Sequence, residues 1–270
     1  MSDALPTIRL IGLPTDSHSS FLRGPARAPA AIRAALASDH ANSASESGLE
    51  LGTDIIIDDA GDLPLNEDDG DFGLIRAAAR EAANSNAVPI FLGGDHMVTY
   101  PIVAGLAQQL GPVGILHFDA HPDLYDDFEG DPLSHASPFA RIMEHGLAAR
   151  LVQVGIRTMN RHCREQVERF GVDVIEMRDF AVDRVSIPDG PLYISIDMDA
   201  LDPAFAPGVS HHEPGGLSVR DIISVLHRVR QPIVGADLVE YNPDRDINGM
   251  TAVVAAKLVK ELAALAGRDR

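Results

Sequence analysis

The sequence predicts a three-layer α/β/α fold with a mostly parallel central sheet of about eight strands. Three observations favour this fold. Apolar runs of strand length recur along the chain, helical patterns lie between them, and several runs stop at a glycine or an aspartate. The chain has 270 residues, of which 45% are hydrophobic. We therefore expect one large globular domain, 1–270, with a large buried core and no marked linker.

The predicted strands are apolar runs bounded by polar, glycine or proline residues. The continuous runs VPIFL at 88–92 and LYISI at 192–196 are typical of strands buried on both faces of a parallel sheet. The run VGILHF at 113–118 stops at Asp119. In chain order, we predict strands over residues 8–13, 53–57, 88–92, 113–118, 151–156, 172–175, 192–196 and 232–239.

The predicted helices lie between these strands. The first has Pro29 near its start, where the missing N–H breaks no helical hydrogen bond. The second is alanine-rich and follows the acidic stretch 67–71, whose carboxylates favour a helix N-terminus. The last three show apolar residues at helical spacing. We predict helices over residues 28–37, 72–83, 161–170, 219–229 and 249–266.

Residues of the kinds that bind metal ions follow three predicted strands, in the segments GGDH (93–96), DAHPD (119–123) and SIDMD (195–199). Alternate residues of an extended chain point the same way, so the polar residues of each segment can face one point. The carboxyl ends of parallel strands are where ligands gather in such sheets. We predict a two-metal site with the ligands His96, Asp119, His121, Asp123, Asp197 and Asp199.

The ligand types indicate the metal and the chemistry. Four aspartates packed together would repel one another, and two divalent ions would cancel their four charges. Carboxylates and two histidines without a thiolate suit manganese, with zinc, cobalt, nickel or iron less favoured. Paired metals can hold a water, lower its pKa and present hydroxide near neutral pH. Hydrolysis is therefore the expected chemistry, with two Mn²⁺ ions as cofactors.

Composition limits the partners. A formal charge of -18 disfavours nucleic acid and anionic membranes as partners and favours a small cationic substrate. We find no apolar stretch long enough to span a membrane and no N-terminal signal pattern. The single cysteine, Cys163, belongs to none of the ligand segments and fits a reducing compartment. We expect a cytoplasmic protein.

The three ligand segments resemble those of the ureohydrolase family, the arginases and agmatinases, and the resemblance runs from near Ile8 to near Leu265. The segments SSFLRGP (19–25), DAHPDLYD (119–126) and SIDMDALDPAFAPGVSHHEPGG (195–216) look most like the plant-type arginase branch. The resemblance implies that the six ligands bind two manganese ions and that Asp119 and Asp197 are among the bridging ligands.

The resemblance also implies roles for three catalytic residues. His135 matches the histidine that shuttles protons or assists the leaving amine. Glu240 matches the carboxylate that holds the substrate guanidinium, which prefers paired carboxylate bonds. Attack by the metal-bridging hydroxide gives a tetrahedral intermediate, and a proton relayed from Asp123 or His135 releases urea and an amine.

Further residues of these segments are candidates for substrate contact or for structural roles. Tyr125 and His211 are candidates for substrate contact, with a structural loop role almost as well supported for His211 and for His212. His117 faces the Asp119 side of its strand, and we expect it to pack or to support a ligand. Asp95 and Asp202 are expected to hold loops by hydrogen bonds.

The substrate is L-arginine in our first interpretation, giving urea and L-ornithine, with agmatine second and another guanidino compound as a further alternative. The animal-type arginase residues for the substrate α-carboxylate are missing, and Tyr125 and the segment 129–132 occupy those regions. A catalytically silent metal-binding subunit and a two-metal phosphoesterase are hypotheses of other classes. The resemblance also implies a homotrimer or homohexamer.

Overall fold

The computed structural model describes residues 5–40 and 42–268. Within them, one parallel sheet forms the centre of the molecule. Its strands are β1 (Thr7–Gly12), β2 (Ile56–Asp62), β3 (Ala87–Leu92), β4 (Val113–Phe118), β5 (Ala148–Ile156), β6 (Asp173–Glu176), β7 (Leu192–Asp197) and β8 (Ile233–Val239). Their spatial order is β2-β1-β3-β8-β7-β4-β5-β6, and all neighbouring strands pair in parallel. The predicted sheet is confirmed.

Helices cover both faces of this sheet. They are α1 (Ala28–Leu36), α2 (Asp71–Ala83), α3 (Thr99–Leu110), α4 (Pro138–Glu144), α5 (Arg161–Phe170), α6 (Val219–Leu226) and α7 (Met250–Gly267). Alternate residues of β4 enter different cores: Leu116 packs with the side chains of α1, α6 and α7, whereas Ile115 packs with those of α2, α3 and α4. This alternation, which follows from the strand repeat, produces the predicted three layers.

The sheet order places four site-bearing strands side by side. At their carboxyl ends, β3 leads to His96, β8 to Glu240, β7 to Asp197 and β4 to Asp119. These four strands occupy the middle of the sheet, where their residues are buried on both faces. The site therefore rests on the most rigid part of the fold.

The prediction over residues 53–57 misplaced one strand. The strand β2 covers Ile56–Asp62 because it pairs with β1 from Thr7 and Ile56 onward. It is an edge strand, and its outer residues are exposed. Aspartates are tolerated there, so the strand lacks the apolar run that sequence reading requires.

Two helices were not predicted. The helix α3 has apolar residues all round and packs between α2 and α4, so it shows no polar face. The helix α4 is a short one that starts at Pro138. Smaller differences affect the ends of other elements, such as α6, which stops at Leu226 rather than at residue 229.

Candidate metal centre

His96 lies at the centre of the first ligand group. It follows β3 in a short 3-10 turn, and its side chain is fully buried. Its Nδ1 atom lies 3.2 Å from Asp119 Oδ2, 3.0 Å from Asp123 Oδ2 and 3.1 Å from Asp197 Oδ2. None of these oxygens forms a hydrogen bond with Nδ1, which is left without a partner. One nitrogen and three oxygens thus converge in the manner of ligands around a cation.

A hydrogen-bonded chain orients the other nitrogen of His96. Ser195 Oγ lies 3.0 Å from His96 Nε2 and donates to Asp237 Oδ1 at 2.7 Å. Since a hydroxyl has one proton, Ser195 must accept from His96, so Nε2 carries a hydrogen, and in the neutral ring Nδ1 keeps its lone pair. Asp237 also accepts from Thr99 Oγ1 and from Tyr193 OH, each at 2.7 Å. The chain therefore presents Nδ1 as a ligand.

The second ligand group shares Asp119 with the first. Asp119 Oδ1 lies 3.4 Å from His121 Nδ1, while its Oδ2 faces His96. Asp199 Oδ2 lies 3.1 Å from the same His121 atom. Asp119, His121 and Asp199 could hold one metal ion. Because the two oxygens of Asp119 face different histidines, this carboxylate can bridge a pair of ions.

The electrostatics of the cluster also fit divalent cations. Burial, together with the charges of Asp199 and Asp119, raises the pKa of Asp197 well above its usual range. Burial also raises the pKa of Asp199, against the charge of His121. Buried carboxylates this close are costly as anions unless positive charge is supplied. With the orphaned His96 Nδ1, these residues form a candidate binuclear metal site.

His135 and Glu240 form a buried pair beside this cluster. His135 Nδ1 lies 2.8 Å from Glu240 Oε1, and its Nε2 lies 2.8 Å from Ser20 Oγ. Burial opposes protonation of His135, but the charge of Glu240 and the hydrogen bond to it raise the His135 pKa to about 9. Glu240 Oε1 also accepts from the His96 backbone N–H at 3.0 Å, whereas its buried Oε2 has no partner. That oxygen is free to bind a donor from a ligand.

Unusual backbone geometry marks two of these residues. Asp123 has a φ of 49° and Glu240 a φ of 60°, in the left-handed region that few residues other than glycine adopt. Glu240 is held there because its N–H donates to Gly94 O at 2.9 Å. Strain of this kind persists where the surrounding structure fixes a functional side chain.

A cavity of about 210 Å³ opens over the cluster. Tyr125 and His211, both predicted to contact substrate, line it together with His135 and Glu240. His212 instead points away, with its Nε2 2.8 Å from Pro207 O. The remaining lining residues include four of the six predicted ligands, namely His121, Asp123, Asp197 and Asp199.

His117 supports a ligand rather than acting as one. Its Nε2 lies 2.9 Å from Asp119 Oδ2, and its Nδ1 lies 3.1 Å from Gln153 Nε2. Gln153 donates to Nδ1, so Nε2 carries the proton that His117 donates to Asp119. Burial lowers the His117 pKa, which favours this neutral form. Although His96, His117 and Asp119 are close enough to hold an ion, both His117 nitrogens already have protein partners.

The two aspartates expected to hold loops do so. Asp95 accepts from the backbone N–H of His18 at 2.9 Å and of Met97 at 3.1 Å. Burial and the nearby charge of Glu240 raise the Asp95 pKa to about 6. Asp202 accepts from the backbone of Ala204, Gly215 and Gly216.

Sequence reading missed several supporting residues. A supporting role for Asp237 was predictable, because a carboxylate inside an otherwise apolar strand needs hydrogen-bond partners. Ser195 lay within a ligand segment but was assigned no role. No local sequence pattern marked Ser20 or Arg157. Ser20 contacts His135 from a loop far away in the chain. The Arg157 guanidinium donates to backbone carbonyls, including that of Asp199 at 2.7 Å.

A parallel α/β fold with two ligand groups that share a carboxylate defines a metallohydrolase of the binuclear class. The family model described as Arginase family matches residues 6–264. The chain belongs to the arginase family.

Individual relatives agree with this membership. The chain is 50% identical to Arginase 1, mitochondrial, of Arabidopsis thaliana, over 98% of this chain and 82% of that protein. It is 34% identical to a mitochondrial agmatinase of Gallus gallus, over 93% of this chain and 78% of that protein. Among solved structures, an arginase from Medicago truncatula matches with a TM-score of 0.92 and 47% identity, covering 98% of this chain and 89% of that chain.

The expectation of a cytoplasmic protein is contradicted by these relatives. Plant arginases that match the chain over nearly its full length are named mitochondrial, or chloroplastic and mitochondrial. The expectation rested on the absence of a signal pattern and of a membrane-spanning stretch and on the single cysteine, and these observations do not separate the cytoplasm from an organelle interior. Separately, no helix within residues 5–40 and 42–268 has the length and apolar character needed to cross a bilayer.

Proposed function

We propose that the chain is an arginase, which hydrolyses the guanidinium group of L-arginine to urea and L-ornithine. The observation that carries the proposal is the free carboxylate oxygen of Glu240, buried at the floor of a cavity beside the ligand cluster. A guanidinium N–H group can donate a charge-assisted hydrogen bond to this free oxygen. The similarity to plant arginases over nearly the whole chain supports arginine as the substrate.

The roles of the residues follow from their positions. Glu240 would hold the guanidinium over the ligand cluster. His135, whose raised pKa keeps it protonated near neutral pH, would give a proton to the departing amine from within the same cavity. Asp123 lines the cavity and is the other candidate for carrying the proton that attack by water releases.

We propose two Mn²⁺ ions as the cofactor. His96, Asp119, Asp123 and Asp197 would surround one ion, and His121, Asp199 and the shared carboxylates the other. Oxygen and imidazole ligands without a thiolate support manganese. When bound, the ions would supply an activated water for hydrolysis.

Agmatine is the second candidate substrate. Among the described residues, those that line the cavity include no lysine or arginine for the α-carboxylate of an amino acid. Agmatine lacks that carboxylate, and a related agmatinase shares 34% identity with the chain.

The test is urea release by manganese-loaded protein, supplied separately with L-arginine and agmatine, with metal content measured on the same samples. An Asp119→Asn variant serves as the control because it alters the shared ligand. Turnover that is greater with arginine and is lost in the variant supports an arginase. Greater turnover of agmatine supports the runner-up, and no urea despite two bound metals would favour the silent-subunit hypothesis.

We further propose a homotrimer or homohexamer of a single catalytic domain spanning 1–270, of which residues 1–4, 41 and 269–270 lie outside the described structure. Phe205, Ile247 and Met250 expose apolar side chains, and their loops are joined by the Gly208 to Thr251 hydrogen bond. Exposed apolar groups of this kind are found in subunit contacts. Light scattering after size-exclusion chromatography measures the mass, and a monomer would refute this part of the proposal.

A further inference from the structure

The loop after β7 brings one acidic side chain to the cavity whose role is unexplained. His211 and Glu213 both line the cavity, while His212 between them points away toward Pro207. The His211 ring lies 5.2 Å from the ring of His135 and 5.9 Å from that of His121. Glu213 is thus on the cavity side of a loop that contacts the catalytic residues.

The backbone of Glu213 is fixed by the same arginine that fixes a metal ligand. Arg157 donates to Glu213 O from Nε at 2.8 Å and from Nη2 at 2.5 Å, and Nη2 also donates to Asp199 O at 2.7 Å. The position of Glu213 relative to the ligand cluster is therefore set by one rigid guanidinium.

The carboxylate of Glu213 has no ion pair or side-chain hydrogen bond to any residue in the described ranges 5–40 and 42–268. Glu240 is the other lining glutamate, and it is already committed to His135 and to the guanidinium site. The described lining includes no lysine or arginine. A positive charge at the far end of a bound substrate would therefore find a free carboxylate and no lysine or arginine among the described lining residues.

We propose that the Glu213 carboxylate binds the primary ammonium group at the end of the substrate opposite the guanidinium. In L-arginine this is the α-ammonium group. The inference rests on the proposed function because it takes the guanidinium to lie at Glu240. It makes Glu213 a specificity residue that selects substrates carrying two cationic groups over those carrying one.

The experiment pairs a Glu213→Gln substitution with removal of the ammonium group from the substrate. The substrates are L-arginine and 5-guanidinopentanoate, which is arginine without its amino group. For L-arginine, we expect the substitution to raise KM about 10-fold, the loss of one charged hydrogen bond, with kcat changed less than about 2-fold. For 5-guanidinopentanoate, KM should be the same in both proteins.

Binding is measured as well as turnover. Calorimetry of metal-loaded protein with L-ornithine should show weaker binding in the Glu213→Gln variant by about 10-fold, whereas 5-aminopentanoate, which lacks the α-ammonium group, should bind both proteins alike. Glu213→Asp should restore part of the affinity for L-ornithine. Glu81→Gln is the matched control, because it removes one negative charge from an exposed position on α2.

Equal KM changes for both substrates, or no change for L-arginine, would overturn the proposal. Failure of the proposed function would look different: wild-type protein would release no urea from L-arginine. If agmatine is hydrolysed instead, agmatine and butylguanidine replace the first pair, and the same comparison tests Glu213. If no guanidino compound is hydrolysed, the ornithine measurement still decides whether Glu213 binds an ammonium group.

Discussion

The direction in which His96 presents its nitrogens depends on groups outside the ligand cluster. Ser195 donates its only hydroxyl hydrogen to Asp237, which also accepts hydrogen bonds from the hydroxyl groups of Thr99 and Tyr193. The ionised Asp237 carboxylate only accepts hydrogen bonds, so Ser195 donates to Asp237 and His96 Nε2–H donates to Ser195. A buried carboxylate that does not line the cavity thus determines which imidazole nitrogen faces the candidate metal site.

We predict that Ser195→Ala weakens metal binding at the His96 site by about 10- to 100-fold. Without the hydroxyl, His96 Nε2–H loses its acceptor and the ring is free to change tautomer. Calorimetric titration with Mn²⁺ measures the affinity of each site. Ser137→Ala is the matched control because the buried Ser137 hydroxyl has no hydrogen-bond partner to lose. Unchanged affinity at both sites of the Ser195 variant would contradict the interpretation.

The pair of His135 and Glu240 should make stability depend on pH. The His135 pKa is raised from 6.5 to about 9 in the folded protein, so the folded state holds the proton more tightly. The pair therefore stabilises fully below about pH 6.5, by about 3 kcal/mol at most, and the stabilisation is lost as pH rises through about 9. In chelated protein, the difference in unfolding free energy between wild type and His135→Gln should shrink between pH 6 and pH 10. Urea denaturation measures it, and a constant difference would count against the pair.

At the scale of elements, the turn after β3 and the loop after β1 are packed against each other with no room for a side chain. A Cβ atom on Gly94 would lie 1.5 Å from Thr15 O. The same turn supplies the carbonyl that holds Glu240, while Asp95 holds the loop through His18. The close approach of the two backbones thus positions both Glu240 and the loop that contains His18.

We predict that Gly94→Ala destabilises the protein by about 3 kcal/mol or more, because the new methyl group forces the two backbones apart. Activity should fall with it, since Glu240 is bonded to Gly94 O. Gly73→Ala is the control, because we expect this substitution to increase stability instead of decreasing it. Gly73 lies within α2 with open space around it, so alanine there should stabilise by about 0.5–1 kcal/mol. Thermal unfolding of both variants tests the pair, and similar shifts in the two would refute the explanation.

The sequence allowed most of the sheet to be predicted, because buried parallel strands are continuous apolar runs, and the structure brings the candidate ligand segments that follow three of these runs together. The edge strand β2 and the buried helix α3 were misread or missed, since each departs from the pattern of its type. The contacts from Ser20 to His135 and from Arg157 to Glu213 join residues far apart in the chain. Such contacts depend on how the loops pack, which no local pattern records.

For the molecule as a whole, metal binding should be linked to stability. The ligand cluster brings four aspartates together in the interior, and burial with mutual repulsion raises the pKa of Asp197. We predict that chelation lowers Tm by on the order of 10 °C near neutral pH. A carboxyl group whose pKa is raised destabilises the metal-free fold as pH rises through that pKa, so the loss should be smaller at pH 5 than at pH 8. Differential scanning calorimetry with and without chelator measures both losses.

The Asp119→Asn variant is the control for the chelation measurement. It removes one charge from the cluster and the carboxylate shared by both ligand groups. Its Tm should respond less to chelation than that of the wild type. An equal response would mean that the stabilising metal lies elsewhere.

The place of β8 in the sheet has a consequence for biosynthesis. Of the strands in residues 5–40 and 42–268 it is the last to be synthesised, yet it lies between β3 and β7, where Ile90 and Ile194 both pair with Ala236. Until β8 is made, the nascent chain holds two partial sheets with unpaired apolar edges, which invite aggregation and chaperone binding. The ligands after β3 and those after β4 and β7 are separated by that gap. We therefore expect the ligand group around His96 to assemble only after β8 is in place, and a chain truncated before Val239 to lack that group.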